Sequence, residues 1–273
     1  MRCRCCSAKP SDAAARKLLH KVGGTLEEAM QATELDWRGK GLDDDDANVV
    51  AHVVMANGAL TTLILGSLFG GNNIGGEGAI AIAEALKVHG LKLTYLRLDG
   101  NRSFGNEGAK AMGKALRVNA SVRTLKLKDT QIGDAGAVAM ANALRVNGAL
   151  TRLELDSNQI GDTGAAAIAD ALHVNGAMME LNMGGNKIGD TGAAAIAEAL
   201  RVNCALANLN LAGNPYSPEA KIGDAGAAAI ASALRVNGAL TTLNVQSNDL
   251  SEDSSKSKLR EAVKRRSGFN LYV

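Results

Sequence analysis

A Leu-x-Leu step recurs along almost the whole chain and limits its fold more than any other feature. Leu153-Glu154-Leu155 returns as Leu181-Asn182-Met183 and again as Leu209-Asn210-Leu211, each 28 residues on. Backward, the step falls at Leu125-Lys126-Leu127, Leu96-Arg97-Leu98, Leu63-Ile64-Leu65 and Leu35-Asp36-Trp37. Forward, it falls at Leu243-Asn244-Val245 and Leu271-Tyr272-Val273. Eight units therefore run from Leu35 to Asn270, followed by a stub strand. A unit of this size holds one supersecondary element, too small to bury its own apolar face, so the units must stack.

Residues 150–176 illustrate one unit. Leu153 and Leu155 alternate with polar residues, which reads as a half-buried strand. Asn158 closes the strand and Ile160 points inward. Asp162 stands where a helix N-cap is expected. Ala165, Ile168, Ala169 and Leu172 then form one apolar helical stripe. Gly164 and the alanines allow the helix to lie close to the strand. Asn175-Gly176 ends the helix with residues that tolerate positive φ.

Stacked strands pair in parallel with the helices outside. Helices are about 10 Å across and paired strands about 4.8 Å apart, so the stack curves with its sheet inside. The expectation is an α/β horseshoe solenoid with a concave parallel sheet and convex helices. Composition agrees: 273 residues contain three Phe, three Tyr and one Trp, because thin layers are filled by Leu and Ala. Glycine follows no three-residue period, which excludes collagen, and the 46% hydrophobic content excludes disorder.

The pattern L-x-x-L-x-L-x-x-N-x-I-x-x-x-G at 150–164, nearly intact at 178–192, resembles the ribonuclease-inhibitor-like subclass of leucine-rich repeats. The recurring IGD-x-G-A-x-A-I-A-x-A-L wording further resembles repeat arrays of NOD-like receptors and of Ran GTPase-activating proteins. The resemblance implies a scaffold fold, and it leaves open a small GTPase as partner or a sensor role.

The expected organisation is a flexible Cys/Arg tail at 1–10, a helical cap at 11–34, the array at 35–250, and a capping helix with stub strand at 251–273. Two units carry insertions just after the strand, around Leu68-Phe69-Gly70-Gly71 and at 215–220, which bring Phe69 and Tyr216 to one rim. A net charge of +2 offers no bulk attraction to nucleic acid. No apolar run reaches the length of a membrane span. Cys3, Cys5, Cys6 and Cys204 do not form a disulfide framework, so a monomer in the reducing cytoplasm is expected.

Catalytic chemistry finds no convergent set. His20, His52, His89 and His173 fall in caps or on helices, and Asp134, Asp162, Asp190 and Asp224 recur identically, as structural residues do. Asp43-Asp44-Asp45-Asp46 reads as a solvated helix start rather than an EF-hand loop. There is no G-x-x-x-x-G-K-[ST] loop. The reading is a non-enzymatic chain without metal or cofactor. Its variable side chains are those projecting from the strands: Tyr95, Arg97, Asp99, Lys126, Lys128, Arg152, Glu154, Asp156 and Glu180, followed by an amide-rich half at Asn208, Asn210, Thr242, Asn244 and Gln246. With Phe69 and Tyr216 on the rim, they are the expected contacts for a protein partner. If the partner were a GTPase, Arg97 or Arg152 would be the candidate arginines.

Overall fold

The computed structural model describes residues 10–67, 71–213 and 220–273. Helices α1 (Asp12–Val22) and α2 (Leu26–Gln31) come first. Strands and helices then alternate: β1 (Glu34–Asp36), α3 (Asp44–Ala56), β2 (Thr62–Ile64), α4 (Gly76–Ala85), β3 (Tyr95–Arg97) and α5 (Gly105–Leu116). They continue as β4 (Thr124–Lys126), α6 (Asp134–Leu144), β5 (Arg152–Glu154), α7 (Asp162–Leu172), β6 (Glu180–Asn182) and α8 (Asp190–Val202). The last are β7 (Asn208–Asn210), α9 (Asp224–Leu234), β8 (Thr242–Asn244), α10 (Ser257–Val263) and β9 (Asn270–Tyr272).

All nine strands form one parallel sheet in sequence order. The repeat sets the register directly, with Leu125 opposite Leu153, Leu153 opposite Leu181 and Leu181 opposite Leu209. Each unit adds one apolar layer. In the unit starting at β5, Leu153, Leu155, Ile160, Ile168 and Leu172 are all buried, each contributing about 1.5–3 kcal/mol relative to exposure. Phe104 and Trp37 occupy the equivalent inward positions of their units and are buried as well. The two N-terminal helices close one end, packing onto α3 with Leu18 and Ala29 buried. Leu259 and Val263 of α10 close the other.

The helix starts differ from the sequence expectation. Asp162 is the first helical residue, and the N-cap is Gly161, which has no side chain to cap with. The carboxylate instead serves the next unit: Asp162 Oδ1 accepts from the backbone N–H of Gly189 at 2.7 Å and of Gly192 at 2.9 Å. Asp134 does the same for Gly161 and Gly164, and Asp190 for Gly223 and Gly226. Asp44 supplies Gly75 and Gly78, Asn106 supplies Gly133 and Gly136, and Asp224 reaches Ser251 and Ser255. Gly164 accordingly makes room for the preceding unit as well as for its own. A Cβ there would lie 2.7 Å from both Asp134 Oδ1 and Ile160 Cγ2, and 2.9 Å from Ala137 Cβ.

The helix ends also differ. Neither Asn175 nor Gly176 has positive φ; Gly23, Gly90 and Gly268 do follow helices with positive φ, but in the repeated units left-handed residues recur after the strands, at Gly100, Asp129, Ser157, Gly185 and Ser247. Asn175 acts through its side chain. Its Nδ2 donates to the carbonyls of Leu144 and Asn147 in the preceding unit, and its Oδ1 accepts from Ala177 and Met178. Asn147, Asn203 and Asn237 repeat this pattern, while Asn158 and Asn186 form a second ladder behind the strands. The acidic run is not simply solvated either. Asp43 and Asp46 form a capping box, Asp46 is buried, and both pair with Lys21, Asp43 also with Lys17, from α1.

Asp162→Ala is expected to lower stability by about 1–2 kcal/mol in urea denaturation, because one part-buried acceptor serves two backbone donors. Asp162→Asn is expected to recover most of the loss, since Asn106 does the same task with an amide oxygen.

Candidate functional site

Three parallel rows of side chains line the sheet face turned away from the helices. The first follows the strand-start position through Tyr95, Thr124, Arg152, Glu180, Asn208 and Thr242. The second, two residues on, runs Arg97, Lys126, Glu154, Asn182, Asn210, Asn244 and Tyr272. Asp99, Lys128 and Asp156 begin a third. Nothing in the apolar packing specifies these residues, because each alternates with the buried leucines.

The charged half is not a field of free charges. Arg97 Nε lies 2.8 Å from Asp99 Oδ2, and Lys128 Nζ lies 2.7 Å from Asp156 Oδ2. Lys126 Nζ reaches Glu154 Oε1 at 2.9 Å and sits 6.0 Å from the centre of the Tyr95 ring. Arg152 bridges Glu154 at 2.7 Å and Glu180 at 2.9 Å. Thus all the strand-face candidates from Tyr95 to Glu180 come together, as a ladder whose charges compensate one another. Reversing Lys126 and Lys128 would set acid beside acid and destabilise the sheet face, so that pair is a poor probe of binding.

Two carboxylates in the ladder are perturbed in opposite directions. Burial pushes Glu154 up, but hydrogen bonds from Lys126 and Arg152 outweigh it and its pKa ends lowered. Burial pushes Asp156 up more strongly than Lys128 pulls it down, so its pKa ends raised. Asp156 Oδ1 is buried without a hydrogen-bond partner among the described residues. Asp99, at the equivalent position, has both oxygens engaged, by Arg97 and by the backbone N–H of Lys128.

The other half of the face is chemically different. Asn182, Asn210 and Asn244 each turn Oδ1 onto the backbone N–H two residues on, of Gly184, Ala212 and Gln246, at 3.0–3.1 Å. Their acceptors are used locally, and each Nδ2 donor has no partner among the described residues. With Asn208, Thr242 and Tyr272 they line an open hollow of about 240 Å³, bordered by Arg152 and Glu180. The repeat places the amides on the face without fixing their orientation, and Tyr272 joins them from the last strand. The readable signal was the ninth Leu-x-Leu step, which puts Tyr272 in register with Asn244.

Phe69 and Tyr216 lie outside the described residues, as do Cys3, Cys5 and Cys6. The residues flanking both insertions are tied to the next unit on the same rim: Ser67 donates to Asp99, and Gly213 to Gln246. Among the described residues no cluster of His, Cys, Asp or Glu could hold a metal ion. No helix there is long and apolar enough to cross a membrane.

A family model described as Leucine Rich repeat matches residues 69–83, 91–113, 118–141, 149–169 and 178–197. The matched segments are leucine-rich repeats within an α/β solenoid. A comparison with curated proteins finds no match. Among solved structures, the solenoid is similar to actin-binding site 2 of leiomodin-1, at 20% identity and a TM-score of 0.41, covering 70% of this chain and 90% of that one. It is also similar to the tropomodulin C-terminal domain of Caenorhabditis elegans, at 13% identity and a TM-score of 0.49, covering 57% and 92%.

The two carboxylates give opposite pH behaviour. Glu154 adds stability above the unfolded carboxylate range, and this is lost as pH falls through its lowered folded value. Ionised Asp156 costs stability, a cost absent at acid pH and complete once pH rises past its raised folded value. Thermal melts at neutral pH are therefore expected to show Glu154→Gln reduced by about 2–4 °C, corresponding to about 1 kcal/mol. Asp156→Asn is expected to equal or exceed wild type, its advantage closing in acid.

Proposed function

We propose that this solenoid is a non-catalytic protein-interaction scaffold that binds a polypeptide partner along its concave sheet face. One observation carries the reading: Asn182, Asn210 and Asn244 are fixed by their own turns through Oδ1 and line the open hollow with Nδ2 donors that have no partner among the described residues. A row that donates but does not accept suits backbone carbonyls of an extended segment, or its carboxylates. These donors are solvated in the free protein, so a partner's acceptors exchange water bonds for direct ones and contribute orientation more than affinity.

The charged half contributes differently. A partner meeting Tyr95, Arg97, Asp99, Lys126, Lys128, Arg152, Glu154, Asp156 and Glu180 must match an alternating pattern already satisfied internally. Such a pattern discriminates among partners more than it adds affinity. Phe69 and Tyr216, carried by the inserted segments, would extend the contact at the rim. For the GTPase-activator and NOD-like alternatives no observation stands out: Arg97 and Arg152 are both held by carboxylates, and neither is extended toward a partner. The partner surface is read as that of a reduced, cytoplasmic monomer.

Asn→Asp is a sharp probe, because the carboxylate oxygen can keep the turn bond while the donor disappears. Peptides selected against the wild-type chain from a displayed library are expected to include binders that lose at least tenfold affinity for the triple variant Asn182→Asp, Asn210→Asp, Asn244→Asp, with its melting temperature retained. A selection yielding no binder sensitive to the triple variant would reject the amide row as a binding surface.

A further inference from the structure

A second surface lies on the rim where the helices end, away from the sheet face. Val88, Val118, Val146, Val174, Val202 and Val236 occupy the same position in successive units and are 40–63% exposed. The fold does not require them. The neighbouring asparagines, such as Asn119 and Asn147, provide the inter-unit bonds, and a β-branched residue has no advantage in an exposed turn. Consecutive valines border common hollows. Val88 and Val118 flank one of about 160 Å³, and Val118 and Val146 flank another of about 350 Å³.

The charge beside these hollows is positive. Every one of the valines follows Lys, Arg or His. Several of those cations are answered by acids in the last helical turn, Lys87 by Glu84, Arg145 by Asp170 and Arg201 by Glu198. The hollow between Val118 and Val146 is the exception. It is lined by Arg117 and Arg123, both exposed and without an ion-pair partner among the described residues, and by no acidic residue. Arg123 Nη1 donates to the carbonyl of Ala149 at 2.8 Å, which fixes its guanidinium beside the hollow.

We propose that this rim is a docking surface for an acidic peptide carrying aliphatic side chains. A Leu-sized group seats between Val118 and Val146 while flanking carboxylates meet Arg117 and Arg123 in charge-assisted hydrogen bonds. An anionic membrane fits less well. Interfacial binding relies on projecting Trp, Phe or Leu, whereas here small valines border recesses.

The test is fluorescence anisotropy of the full chain with a labelled dodecapeptide of alternating Glu and Leu. Saturable binding is expected, weakening several-fold between about 0.1 and 0.5 M salt as exposed charge pairs are screened. Arg117→Glu should weaken it at least tenfold, and the pair Val118→Ser, Val146→Ser at least fivefold. Both should melt like wild type, since these side chains bury little. The Asn182, Asn210, Asn244 aspartate variant should bind the peptide unchanged, which separates this surface from the sheet face. The proposal is overturned if wild type does not bind, or if the valine pair binds unchanged. It is equally overturned if a Glu-Ser peptide binds as well, or if phosphatidylserine vesicles bind through these residues in place of the peptide.

Discussion

Each helix from α4 to α9, apart from α5, starts on a side-chain oxygen contributed by the unit before it. A carboxylate placed one residue inside its own helix cannot cap that helix, but stacking brings it over the first turn of the next. One oxygen then accepts from two backbone donors, at a helix end where the dipole favours negative charge. The glycine at the third helical position follows from this, because a Cβ there would lie within 2.6–2.8 Å of the oxygen. The unit is therefore incomplete by construction. Its helix start depends on the previous unit and its carboxylate on the following one, so stability accrues at interfaces between units rather than within them.

With inter-unit bonding assigned to Asp and Asn, and the core to Leu, Ile and Ala, the outward strand positions are released from structural duty. They are used in two ways. In the middle strands, Lys126, Arg152, Glu154 and Glu180 form a continuous network across β4, β5 and β6. In the later strands the same rows hold asparagines whose acceptors are closed and whose donors are not. The boundary falls at β6, where Glu180 still belongs to the charge network and Asn182 already belongs to the amide row.

Much of the fold was legible because hydrophobic period and strand register are the same fact: Leu125, Leu153, Leu181 and Leu209 could only align at one spacing. The capping partner of Asp162 was not legible. A single unit read alone places that carboxylate near its own helix start, and only the stack reveals that it lies closer to the next. Asn175 was misjudged for the same reason, since its bonds to Leu144 and Asn147 cross between units. On the face, residue types were readable but pairing was not. Whether Lys126 is free or bonded depends on the 28-residue neighbour Glu154 standing directly beside it.

Asp156 is where this economy breaks down. Asp99 occupies the corresponding place two strands earlier with both oxygens bonded, so the position can hold a satisfied carboxylate. At Asp156 the Oδ2 that Arg97 serves in Asp99 is served by Lys128, but the backbone N–H of Gly184, the counterpart of the one Asp99 Oδ1 accepts, goes to Asn182 Oδ1 instead, and Glu154 adds a like charge. Oδ1 is left buried without a partner among the described residues, and the group's pKa rises. Retaining an acid there lowers stability without helping any packing or capping contact, whereas the amide of Asn182 or Asn210 elsewhere on the face is well served. Asp156 stands apart from Asp99 and Glu154, whose carboxylates are held by donors. It sits beside Lys128 and the Glu154–Arg152 pair, at the centre of the charged half and one strand from the amide row. Because Oδ1 is buried, the cost is relieved by protonation or by an amide at this position rather than by a contact from outside.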